Sequence, residues 1–150
     1  MKRQDWNAGL IICLIFSACT LSLNAQSGAV ISPDSEAIPA FFTKLSEDLS
    51  EHLEVLDSSL VASAFKAVKH PDLFNMTTDE AKTAALAIGC DFLVLVRTGA
   101  ERRTSFERPD YYESFAAIYV ASSRTGRLVY WTTRNAEELS QSEADTKLIL

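Results

Sequence analysis

Side chains that build reactive sites are scarce in this chain. It has two histidines, His52 and His70, and three cysteines, Cys13, Cys19 and Cys90. No His-Glu-x-x-His motif and no paired-cysteine spacing occurs, which excludes the common zinc arrangements. Gly-x-Ser-x-Gly is absent, and so is a glycine-rich loop that could cradle phosphates. The sequence therefore names no cofactor, no metal and no catalytic set. Basic charge is in deficit too: 14 Lys and Arg against 20 Asp and Glu give a formal charge of −6. Such a chain has no bulk electrostatic reason to seek nucleic acid.

What is present begins with an address. Lys2 and Arg3 precede a run, residues 8–16, that is wholly apolar apart from glycine. The run falls short of the ~20 residues that a spanning helix needs. Ala18 and Ala25 are small residues suited to a peptidase, so residues 1–25 read as a secretory signal cut after Ala25. A second processing route is written in Phe16-Ser17-Ala18-Cys19, which resembles a bacterial lipobox and would place a lipid anchor on Cys19. Either route exports the protein, to the periplasm or the outer-membrane periphery of a Gram-negative cell, with no integral span after processing. Loss of Lys2, Arg3 and Asp5 moves the formal charge from −6 to −7. Neither route leaves a free cysteine pair for a disulfide, so the domain at residues 26–150 must stand on its core.

Helical spacing organises the first part of that domain. Gly28-Ala29-Val30-Ile31-Ser32-Pro33 reads as a short strand stopped by proline. Pro39 opens a helix over 39–52, with Phe42, Leu45, Leu49 and Leu53 recurring at helical spacing. Residues 53–57 alternate as a half-buried strand. Ser58 or Ser59 caps a helix over 59–69, striped by Leu60, Val61, Ala64, Phe65 and Val68 and ended by His70-Pro71. Thr77 and Glu80 have capping-box spacing ahead of an alanine-rich helix over 79–88, which Gly89 stops. Asp91 then opens Phe92-Leu93-Val94-Leu95-Val96, apolar on both faces and hence a strand inside a sheet.

Beyond that strand the period changes to two. Residues 97–110 are polar and charged, either a long hairpin loop or two strand ends with a tip. Residues 114–121 place Phe115, Ala117, Tyr119 and Ala121 on one face and Ala116, Ile118 and Val120 on the other. Arg124-Thr125-Gly126-Arg127 is a tight turn. Residues 128–131 form its partner strand, where alternation puts one of Tyr130 and Trp131 in the core. Residues 136–150 read as a helix, and the apolar triplet Leu148-Ile149-Leu150 is open to a further strand or a truncated domain end. The expected fold class is α/β, of α+β type. It is a mixed sheet of four to five strands, with 92–96 central and helices packed mainly on one face.

Four pieces in this order carry a resemblance. They are Ala29-Val30-Ile31-Ser32-Pro33, Glu54-Val55-Leu56-Asp57, Ala87-Ile88-Gly89-Cys90-Asp91-Phe92-Leu93-Val94 and Ser123-Arg124-Thr125-Gly126. Together they resemble the small α/β domain at the N-terminus of TolB and, elaborated, in the curli secretion lipoprotein CsgG and its relatives. The resemblance covers about residues 28–135 and implies the fold above in an envelope protein. Cys90 stands where that family has alanine, and the segment 97–112 is longer and more basic than the family pattern. Neither propeller repeats nor amphipathic transmembrane hairpins follow.

One surface stands out chemically. Arg97, Arg102, Arg103 and Arg108 crowd one segment with Tyr111 and Tyr112. Glu101, Glu107, Asp110 and Glu113 nearly balance them, which argues for ion pairs and against a nucleic-acid patch. Arginine and tyrosine are enriched at interface centres, so this segment is the candidate contact with an envelope protein partner or another envelope component such as a polymer. An ordinary solvated hairpin is the plainer reading. Ser46, Glu47, Asp48, Glu51 and Glu54 read as the solvated face of the first helix, and Cys90 as a small core residue. A different class would be a small secreted hydrolase using Asp57 and Asp91 at strand ends. A third is an outer-membrane-anchored lipoprotein that assists secretion or assembly. The oligomeric state is left open.

The two processing routes separate by mass. Intact-mass measurement of mature protein from periplasm and membranes should show either a start at Gln26 or an acylated start at Cys19. Full-length protein confined to the cytoplasm would contradict both.

Overall fold

Residues 92–96 lie in the middle of the sheet, as their two-sided apolar pattern requires. The computed structural model describes residues 26–32, 38–68 and 73–150. The leader with Cys19 and Ala25, the stop at Pro33 and the helix end at His70-Pro71 lie outside the described residues. The elements run β1 Ser27–Ile31, α1 Pro39–Ser50, β2 Glu54–Val55, α2 Ser58–Ala67, a 3-10 turn Leu73–Asn75 and α3 Thr78–Ile88. They continue with β3 Phe92–Arg103, β4 Tyr111–Ser122, β5 Leu128–Glu138 and α4 Gln141–Ile149. The sheet order is β2-β1-β3-β4-β5. β1 pairs parallel with β2 and β3, while β3-β4 and β4-β5 are antiparallel. The expected α/β class and mixed sheet are what the chain forms.

The helices divide between the two faces instead of gathering mainly on one. From β1 the chain crosses to β2 through α1, then returns past β1 to β3 through α2 and α3. Right-handed crossovers in opposite directions put their helices on opposite faces. One core layer joins Ala29, Ile31, Leu93 and Leu95 to Val61 of α2 and to Ala84 and Ala85 of α3. The other joins Val30, Val94, Val96, Ala116 and Ala136 to Phe41 of α1 and Leu148 of α4. Leu93 and Val96 are wholly buried. Each such side chain contributes about 1.5–3 kcal/mol relative to exposure.

Local chemistry sets the ends of these elements. Thr77 and Glu80 form the capping box: Thr77 Oγ1 accepts from the Glu80 N–H, and Glu80 Oε2 accepts from the Thr77 N–H at 2.8 Å. Gly89 closes α3 in the left-handed conformation, φ 81°. Asp57, rather than Ser58 or Ser59, caps α2, its carboxylate accepting from the Ser59 and Leu60 N–H groups. Gly126, φ 68°, turns β4 into β5, and a Cβ there would lie 1.8 Å from the Thr78 carbonyl oxygen. That turn is therefore seated on the start of α3, and any larger residue would push them apart.

Several features of the hairpin half differ from the expectation. The strand at 92–96 continues to Arg103, and β4 begins at Tyr111, so only residues 104–110 are loop. Each rung from Arg97–Ala117 to Arg103–Tyr111 is paired. β5 runs to Glu138, taking residues expected in the last helix, because Ala136 pairs with Ser114 and its methyl joins the core. Ser140 then caps α4 by accepting from the Glu143 N–H. Finally, Tyr130 and Trp131 are both exposed, at 58% and 60%. β5 is an edge strand whose extra residue at the Val120–Ala121 bulge offsets its alternation, and no helix covers this part of it.

A charge at Leu95, 6% exposed, would be buried among Ala29, Ile31 and Val61 and should unfold the domain, whereas Leu86 on α3 is 67% exposed. Leu95→Asp is expected to abolish the cooperative melt, and Leu86→Asp to change stability by less than ~0.5 kcal/mol. Equal melting temperatures for the two variants would contradict the central position of β3.

Candidate functional site

The arginine-tyrosine segment forms the far end of a three-stranded ribbon. Side chains alternate across β3 and β4, so pairing decides which of them share a face. Arg103 pairs with Tyr111 and Arg102 with Tyr112. Arg97, Arg103, Tyr111 and Glu113 stand on the face that carries Leu93, Leu95 and Tyr119, whereas Arg102 and Tyr112 stand on the face of α1 and α4. Arg97 is also six rungs, roughly 20 Å, from Arg103 along β3. There its guanidinium lies 5.8 Å over the Phe74 ring. The six predicted residues are thus two surfaces and an outlier, not one patch.

Carboxylates occupy the arginines near the hairpin tip. Arg102 reaches Asp110 Oδ2 at 2.7 Å, and Arg103 reaches Glu113 Oε2 at 2.8 Å and Glu101 at 2.9 Å. Arg108 donates to Glu137 Oε2 at 2.8 Å and lies 3.6 Å over the Tyr111 ring. The Arg103 hydrogen bond, helped by one from Asn135 Nδ2, holds the Glu113 carboxyl below the usual carboxylate range. Glu113 holds Arg103 above its ordinary value, with Glu101 adding to it. Glu137 and then Tyr111 do the same for Arg108. These pairs are exposed and screened, so their effect is geometric. They hold the ribbon in one shape.

Phe106 is the residue that spacing did not reveal. It sits in the loop between β3 and β4 and is fully exposed, unlike the half-buried Tyr111 and Tyr112. A phenylalanine inside Thr-Ser-Phe-Glu-Arg-Pro-Asp was the available signal. Below the tip, Arg108, Pro109, Tyr111, Glu137, Glu138 and Leu139 enclose a shallow hollow of about 290 Å³.

The carboxylates of the hydrolase reading are engaged elsewhere. Asp57 is the α2 cap, its carboxyl held below the usual range first by the Ser59 hydroxyl and then by two backbone N–H groups. Asp91 accepts from the Ser27 N–H at 2.9 Å and from the Ser27 hydroxyl, tying the start of β3 to β1. Neither lines the apolar hollow of about 390 Å³ between α1 and α2 at the end of β1. Lys44 pairs with Asp48 on the acidic face of α1, and His52 is exposed. Among the described residues, no group of three or more His, Cys, Asp or Glu is placed to hold a metal ion. No described helix is long and apolar enough to cross a membrane.

No family model matches the chain, and no curated protein matches it. Solved structures do. Lipoprotein GNA1162 from Neisseria meningitidis superposes with a TM-score of 0.59 at 16% identity, over 83% of this chain and 92% of that one. The LpoB C-terminal domain from Salmonella enterica gives 0.47 at 10% identity, over 90% of this chain and 100% of that one. Hypothetical protein CT253 from Chlamydia trachomatis gives 0.46 at 16% identity, over 77% and 73%. What the chain shares with GNA1162 at this identity is the fold.

Cys90 is buried, its Sγ 3.7 Å from the Ala85 carbonyl oxygen, and burial pushes its thiol up to about 11. In residues 26–150 it should react with a disulfide reagent at pH 8 only through unfolding, since the thiolate is scarce and shielded. Its rate should rise with urea in step with the unfolded fraction. Fast stoichiometric labelling in native buffer would contradict this packing.

Proposed function

We propose that this chain is an exported, non-catalytic domain of the cell envelope whose β3–β4 ribbon contacts another envelope protein. The observation that carries the reading is Phe106, fully exposed at the tip of a hairpin held by Arg102–Asp110, Arg103–Glu113 and Arg108–Glu137. An aromatic anchor on a pre-shaped scaffold loses little freedom on binding, which is how interface centres gain affinity. Near-balance of charge on the ribbon favours a protein over a polyanion. The leader at residues 1–25 supports export, and Cys19 offers a lipid anchor there. The four motifs resembling the TolB N-terminal and CsgG domains, and a fold like that of lipoprotein GNA1162, support an envelope role by analogy. Assistance in secretion or assembly is the finer form of that role. Asp57 and Asp91 serve as a helix cap and a strand tie, which leaves the hydrolase reading without its carboxylates.

A photoreactive phenylalanine analogue at position 106 should crosslink one discrete envelope protein in cells. Phe106→Ala, and Arg102→Ala with Arg103→Ala and Tyr111→Ala, should stay folded and weaken capture of that protein by ~30-fold or more, since anchor residues cost ~2 kcal/mol or more. Folded variants that capture it at the wild-type yield would overturn the ribbon as the contact.

A further inference from the structure

The outer edge of β5 presents a second surface, separate from the hairpin tip. We propose that β5 pairs antiparallel with β5 of a second copy of this chain, joining two sheets into one of ten strands. β5 ends the sheet with eleven residues, whereas the opposite edge, β2, has two. A long edge strand exposes a row of unpaired N–H and C=O groups, and natural proteins guard such edges with proline, lysine or a cover. β5 contains neither proline nor lysine. Its first four residues are instead Leu128, Val129, Tyr130 and Trp131, exposed at 53%, 56%, 58% and 60%. Charges at Arg134, Glu137 and Glu138 guard the far half of the strand, but the bulge alone guards the first four residues.

Charge selects the occupant and the direction. Arg124, Arg127 and Arg134 have no ion pair among the described residues, and all lie in the β4–β5 turn or on β5. Glu137 and Glu138 lie at the other end of the strand, each already holding one cation of its own chain, Arg108 and Lys147. A strand that is basic before it begins and acidic where it ends complements its own reversed copy. A two-fold axis through Thr132 sets Tyr130 opposite Arg134 of the second copy and Trp131 opposite Thr133. Tyr130 and Arg134 share a face, which suits a guanidinium over a ring. Sliding the register by two residues either way moves Arg134 off Tyr130 and sets it opposite Leu128 or Thr132. Parallel pairing in register would set like charges together. The helices leave room, because α3 meets the β4–β5 turn on one face and α4 packs on the other.

The test uses the processed protein. Sedimentation should show a monomer–dimer equilibrium in the micromolar range that weakens with salt. Trp131→Lys should stay folded and weaken the dimer more than tenfold. Thr132→Cys should form an intermolecular disulfide under mild oxidation, because two-fold-related residues of an antiparallel pair stand within disulfide reach, while Ser142→Cys on exposed α4 should not. Phe106→Ala should leave the dimer unchanged, which separates this surface from the hairpin contact. A monomer throughout that range would overturn the proposal and leave the edge to a strand of another protein. So would a dimer that is indifferent to Trp131→Lys and silent at Thr132→Cys.

Discussion

Burial of residues 93–96 between two helical layers is the constraint on which the other features depend. Leu93 and Leu95 point to α2 and α3, and Val94 and Val96 to α1 and α4. A strand of this kind cannot sit at an edge, because one face would meet water. It must have neighbours on both sides, and β1 and β4 supply them by opposite means. β1 arrives by crossover through helices, which makes that half parallel. β4 arrives by hairpin, so no crossover helix intervenes; α4 covers part of one face of this half, and its strands grow long beyond that cover. The anchored segment of β3 therefore holds, at its far end, a ribbon that the helices do not cover.

That ribbon changes character along its length. Near the core it is held by packing and by single buried polar contacts, such as the Thr98 hydroxyl accepting from the Ile38 N–H at 2.8 Å. Ser114 donates to Asp145 on α4, which ties β4 to the last helix. Toward the tip, ion pairs between neighbouring strands replace packing. Exposed pairs add little stability, but they fix the relative placement of Arg103, Arg108 and Tyr111 beneath the loop that carries Phe106. The same gradient leaves the start of β5 apolar and uncovered at the opposite end of the sheet. The two open surfaces thus arise from one cause, a hairpin half that outgrows its helices.

Much of this was legible in the sequence, and the failures have physical sources. The capping box at Thr77 and Glu80, the stop at Gly89 and the two-sided strand after Asp91 are local signals, and the structure has each of them. Which face each helix covers is not local. It follows from the direction of the crossovers, and the 2-1-3 strand order cannot be read from periodicity. Strand lengths beyond Val96 and Trp131 were missed because Arg97, Thr98 and Thr132 to Asn135 are polar: cross-strand partners keep most of them extended, and Thr98 is a polar residue that the core nonetheless buries. The arginine cluster was legible as residues but not as a surface. Adjacent positions 102 and 103 necessarily face opposite ways on a strand. Phe106 was passed over because a lone aromatic in a polar loop has no periodic context.

The central claim is that a doubly buried strand carries an ordered ribbon to an exposed tip. Amide hydrogen exchange along residues 92–113 tests it most directly, since protection reports how each rung opens. Residues 93–96 should exchange only through global unfolding. Amides bonded between strands at 97–103 and 111–113 should be clearly protected, and only those at 104–110 should exchange at nearly free rates. Exchange of residues 97–103 as fast as an unstructured chain would contradict the account, because the tip would then have no scaffold.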